Sequence, residues 1–110
     1  MPELIFWLLC GHALGDYALQ GDTMAKSKHP SNKGTDSYPP WWHWLTAHAF
    51  IHGGLVALIT KIWWLGILEA VCHWLIDLGK CNKLYNIHVD QTLHIVCKLV
   101  WAGIVVYGTL

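Results

Sequence analysis

Arginine is absent from this chain, and charge of either sign is scarce. Charged residues make up 13% of its 110 residues, against about 25% in an ordinary soluble domain. The formal net charge is zero. A basic face able to neutralise phosphates is therefore missing, and no nucleic-acid partner is expected. Close-spaced cysteines are missing as well. Cys10, Cys72, Cys81 and Cys97 stand singly, which argues against a zinc knuckle and against a disulfide scaffold. Three of them lie in apolar stretches, where a free cysteine behaves as a small hydrophobe. No positive n-region precedes the first apolar run, and that run carries His12 and Asp16, so a cleavable signal peptide is not expected. The sequence also lacks internal repeats and low-complexity tracts.

What the chain has in excess is apolar. Hydrophobic residues reach 55%, with eight tryptophans. Four apolar segments can be drawn, at about 4–20, 41–60, 62–80 and 89–110, each close to the ~20 residues that cross a bilayer core. Trp41, Trp42, Trp44, Trp63, Trp64 and Trp101 fall near the segment ends, as an interfacial aromatic belt would. Between the first two segments, residues 21–40 are rich in Lys, Ser, Gly, Asp and Pro and read as a surface loop. The second and third segments meet at Lys61 almost without a linker, which requires an antiparallel hairpin. The expected fold is all-α: a single domain over 1–110, built as a four-transmembrane-helix bundle. Lys26, Lys28, Lys33 and Lys83, with Lys80 at the edge, fall on one side of such a bundle, and only Lys61 falls on the other. By the positive-inside rule this predicts a multi-pass protein of the inner (cytoplasmic) membrane with both termini outside.

Inside these segments lie four polar pairs, each spaced by one helical turn: His12 with Asp16, His48 with His52, His73 with Asp77, and Asp90 with His94. Residues at this spacing share a helix face. At ~1.5 Å rise per residue, all four pairs fall within roughly 15 Å of the cytoplasmic surface, so they occupy one layer. A lone His–Asp pair is usually a surface hydrogen bond, but four in a layer predict an intramembrane metal site. Asp16, Asp77 and Asp90 would repel one another in low dielectric unless cations offset them. Eight donors are enough for two divalent transition ions. Mixed imidazole and carboxylate ligation favours zinc, then manganese or iron. His29, His43 and His88 lie in loops or at segment ends and are expected to be solvated.

Glu69 and Lys98 lie one turn deeper than the layer. They read as a buried ion pair, since each buried charge needs a partner. The functional rival makes Glu69 a ligand or general base and Lys98 a contact to substrate phosphate. Asp90 is carried both as a ligand and as a catalytic carboxylate. Gln20, Lys80, Gln91 and Lys98 are candidate substrate contacts, with helix-end polarity the plain alternative for the glutamines. Gly11 with Gly15, and Gly53 with Gly54, are read as small residues that allow close helix approach.

The blocks His12–Gln20, His48–His52, His73–Asp77 with Lys80, and Asp90–His94 together resemble a group of small bacterial and phage membrane proteins, domain of unknown function 3307. By analogy the pattern is similar to that of membrane-bound metal-dependent hydrolases, whose helices also carry spaced His and Asp. The leading functional expectation is a di-metal hydrolase acting on a lipid or a lipid-linked phosphate or ester at the cytoplasmic interface. Its partners would be membrane lipid, a phosphorylated or otherwise lipid-like amphiphile and, as an open alternative, a second copy of the chain. The rivals are a divalent-cation transporter, a non-catalytic metal-binding protein, and a bis-histidine haem carrier. Three aspartates beside the histidines count against the last.

Overall fold

In a computed structural model, residues 1–108 are described; the end of the expected fourth segment, 109–110, lies outside them. Five α-helices follow in order: α1 Pro2–Ala13, α2 Asp22–Ser27, α3 Trp41–Thr60, α4 Trp63–Cys81 and α5 Ile87–Tyr107. A π-helical turn, Leu14–Ala18, extends α1. Among the described residues there is no strand, only an isolated bridge between Thr35 and Tyr38. The body is elongated, 46 × 26 × 23 Å.

The helix ends have local causes. Pro2 opens α1, where its missing N–H costs nothing. Asn86 caps α5 by accepting the Val89 N–H at 3.0 Å. Between α3 and α4 the chain reverses within Lys61 and Ile62. Lys61 takes the left-handed conformation (φ 61°), and Thr60 Oγ1 accepts the Ile62 N–H at 3.2 Å. The hairpin so formed is tight. A Cβ on Gly53 would lie 2.5 Å from the Gly66 carbonyl oxygen, and one on Gly66 would lie 2.6 Å from that of Gly53. Gly54, by contrast, faces open space, so the close approach expected of both belongs to Gly53 with Gly66.

The interior is divided along its length. Toward the chain termini, Leu8, Val56, Leu65, Trp101 and Ala102 form an apolar core. Trp101 is buried there, which corrects its expected place in an interfacial belt: it sits on the inward stripe of α5 together with Asp90, His94 and Lys98. Toward the loops the interior is polar. The outside is the reverse, with Phe6, Phe50, Leu58, Trp63, Leu75 and Val100 all exposed.

Among the described residues, one helix, Ile87–Tyr107, is long and apolar enough by length and composition to cross a membrane. At ~1.5 Å per residue it spans about the 30 Å of a hydrocarbon core. In α3 and α4, His48, His52, Glu69, His73 and Asp77 lower the mean hydropathy, although these side chains are buried.

The 21–40 segment is not the plain surface loop that its composition predicts. It contains α2, and Asn32 ties it together. The Asn32 amide donates to the carbonyls of Ser27 at 2.9 Å and Pro39 at 3.1 Å, and Ser27 bonds the Tyr38 hydroxyl. This folded segment presses Lys28 into the bundle, where it is 3% exposed.

Candidate metal centre

The turn that carries Asp16 is the first departure from regular geometry. After Ala13 the helix widens, closed by the Leu19 N–H donating to the Leu14 carbonyl at 2.8 Å. Such π-turns within helices often coincide with functional positions. Beside Asp16, Gly15 leaves room for a ring: a Cβ there would lie 2.6 Å from the His52 imidazole.

All eight residues of the four pairs converge, and none is more than 7% exposed. Asp16 Oδ1 is 2.8 Å from His52 Nε2, 3.2 Å from His48 Nε2 and 3.5 Å from His73 Nε2. Asp77 Oδ2 is 3.5 Å from His48 Nε2 and 4.0 Å from His73 Nε2. Asp90 Oδ1 lies 3.4 Å from His94 Nε2. The rings of His52, His73 and His94 form a stack, with centroids 3.7 Å and 4.1 Å apart. Ligand atoms fall into three overlapping groups, each within 4.8 Å: Asp16–His48–His52–His73, His73–Asp77–His94 and Asp16–Asp90–His94.

His12 belongs to none of these groups. Its Nε2 lies 2.8 Å from Gln91 Oε1, while Gln91 Nε2 donates to Asp16 Oδ2 and to Asp90 Oδ2, both at 3.0 Å. Carboxylates only accept, so the Gln91 nitrogen must face them and its oxygen must face His12. His12 Nε2 therefore carries a hydrogen and acts as a donor to Gln91. Gln91, expected as a substrate contact or a plain helix-end polar residue, instead joins His12, Asp16 and Asp90.

The remaining expected residues are placed as follows. Glu69 and Lys98, both at most 1% exposed, hydrogen-bond to each other beneath the centre, and Glu69 Oε2 has no partner. Gln20 Nε2 donates to the Asp16 carbonyl at 3.1 Å. Lys80 is half-buried near the C-terminal end of α4. His43 and His88 are exposed and His29 is partly so, all apart from the cluster. Tyr85 covers Gly79 and donates to the Ile76 carbonyl. Burial first, then the charges of Asp90 and Asp77, raises its phenol pKa above the ordinary value, so it stays a donor.

One central residue escapes the sequence pattern. Lys28 Nζ donates to Asp77 Oδ2 at 2.5 Å, and both groups are buried. Lys28 sits in a polar, aperiodic segment, so no helical spacing points to it. The only available signal is the unbalanced charge of the three aspartates.

The donor set suits a transition metal. Atoms bound at ~2.0–2.2 Å to one tetrahedral ion stand about 3.3–3.5 Å apart, and the separations around Asp16 Oδ1 span that value. His52 Nε2, both ring nitrogens of His73 and of His94, and Asp90 Oδ1 are buried without a hydrogen-bond partner. Groups so buried are normally satisfied. A cation would use the Nε2 lone pairs where they converge. The Nδ1 atoms of His12, His48, His73 and His94 also lack partners, so these rings are oriented by packing and stacking rather than by outer hydrogen bonds.

No curated protein and no solved structure matches the chain. The family described as Protein of unknown function (DUF3307) matches residues 4–109, nearly the whole length, and the chain belongs to that family.

Proposed function

We propose that the protein is a membrane-embedded, metal-dependent hydrolase acting on a lipid or lipid-linked phosphate or ester at the cytoplasmic interface. The observation that carries the proposal is the inverted polarity: imidazoles and carboxylates from four helices meet inside, while large apolar side chains cover the outside. In water such an exterior would be costly at about 25 cal/mol per Å². In a bilayer it is the favoured solvent-facing surface, and α1 with its π-helical turn, α3, α4 and α5 would then lie across it. Intramembrane ionisable clusters of this kind are functional by default. The lysines around the polar end favour a cytoplasmic position for it.

Asp16, His48, His52 and His73 would hold an ion, with Asp77, Asp90 and His94 completing the polar wall. A bound divalent ion would supply Lewis acidity, polarising a phosphoryl or acyl oxygen and making water a stronger nucleophile near neutral pH. Gln91 and Gln20 fix Asp16 from its side chain and its carbonyl. Lys80, half-buried at the loop end, would attract an anionic head group. Among the described residues, the Glu69–Lys98 pair and the apolar core beyond it leave no polar route to the far side, which favours hydrolysis over transport.

A second reading, in which the ion staples the bundle without turnover, is favoured by the enclosure of the cluster. Four protein donors saturate tetrahedral zinc, whereas manganese or iron(II) accept further ligands. Turnover therefore points to manganese or iron, and a staple points to zinc. The test is elemental analysis of detergent-purified protein together with release of phosphate from lipid phosphates. Bound transition metal and turnover, both lost in Asp16→Ala, are expected. Metal without turnover on any lipid ester would leave the staple, and protein free of transition metal after loading would end both readings.

A further inference from the structure

Three groups of ligand atoms overlap in the centre, and two of them already hold a donor from the chain itself. In the Asp16–Asp90–His94 group, Gln91 Nε2 lies between the two carboxylates at 3.0 Å from each. In the His73–Asp77–His94 group, the Lys28 ammonium sits on Asp77 at 2.5 Å. The Asp16–His48–His52–His73 group has no such occupant, and the Nε2 atoms of His52 and His73 are without hydrogen-bond partners there.

Charge leads to the same place. Asp16, Asp77 and Asp90 bring three negative charges and Lys28 returns one positive charge. Glu69 and Lys98 cancel each other. Two negative charges are left, and neutral imidazoles add none. A single divalent ion balances them, whereas two would leave the buried layer with an excess of positive charge.

We propose that Lys28 is the second cation of this centre: its ammonium takes the place on Asp77 that a second metal ion would fill, so the protein binds one divalent transition ion, on Asp16, His48, His52 and His73. The proposal rests on the metal-binding reading above and revises the pair of ions expected from ligand count alone. Lys28 thereby acquires a role as charge partner and positioning residue for Asp77. The segment that delivers it, α2 with its Asn32 staple, becomes part of the site rather than a cover over it.

The experiment counts ions. The full-length protein in detergent is loaded with manganese(II), desalted, and measured by elemental analysis and by electron paramagnetic resonance, which separates isolated ions from exchange-coupled pairs. About one ion per chain with an isolated-ion spectrum is expected for the native chain and for Lys28→Arg, which keeps the charge. Lys28→Met is expected to take up a second ion, about a twofold rise, with a coupled spectrum. Two ions in the native chain would overturn the proposal and leave the metal reading standing. A folded Lys28→Met that still takes one would also overturn it. If Lys28→Met does not fold, the native and Lys28→Arg counts decide. A native chain with no bound ion would sink this proposal together with the metal reading beneath it.

Discussion

The amide of Gln91 can stand in only one orientation, and that constraint reaches across the centre. With its nitrogen turned to Asp16 and Asp90 and its oxygen to His12, it holds two carboxylates at a fixed separation and sets the tautomer of one imidazole. Replacing an outer partner of this kind commonly lowers metal affinity 10–100-fold. Gln91→Leu, which keeps the bulk and removes the hydrogen bonds, is expected to weaken metal binding by about that factor in a chelator-competition titration, with helix content unchanged. Wild-type affinity in Gln91→Leu would show that Asp16 and Asp90 are held by something else. The contrast with His12 is instructive. Sequence spacing gives His12 the same standing as His48 or His94, because it too lies one turn from a partner. Its distinct role comes from Gln91, which is 79 residues away in the chain.

At the scale of elements, the α3–α4 hairpin sets how closely the histidines of one helix face those of the next. Gly53 and Gly66 let the two backbones touch, while Gly54 on the neighbouring face meets nothing within 4 Å. Two adjacent glycines should therefore respond oppositely to alanine. Gly53→Ala is expected to destabilise by about 1–3 kcal/mol through overpacking. Gly54→Ala should stabilise by about 0.5–1 kcal/mol, since glycine within a helix is costly. Thermal unfolding in detergent reads both, and equal shifts of the same sign would contradict the packing described. Much of this level was legible in the sequence. The four long helices fall close to the four apolar runs, and the one-turn spacing of the polar pairs foretold which side chains meet. Three features were not. The π-turn at Leu14–Ala18 follows no composition rule, Gly66 as the partner of Gly53 depends on hairpin register, and α2 lies in a polar stretch with no apolar period. Lys28 was hidden for the last of these reasons.

For the molecule as a whole, the distribution of polarity is what the proposed bilayer location rests on. Acids and histidines lie inside, and Phe50, Leu58, Trp63 and Leu75 lie outside. Protein expressed in cells is expected to remain with the membrane pellet after alkaline carbonate washing and to leave it only in detergent. Recovery in the wash, as a monodisperse species, would contradict the proposed bilayer location. The two-residue turn at Lys61 and Ile62 carries one more consequence, for biogenesis. In a bilayer, α4 alone would expose Glu69 and Asp77 to hydrocarbon, a costly placement for ionisable groups. Because α3 is tethered directly to it, the two would enter such a bilayer most readily as a couple, with His48 already beside Asp77, while Glu69 is matched only when Lys98 of α5 arrives. Maturation of such a chain would thus be governed less by the greasiness of any one stretch than by how quickly adjoining stretches find each other.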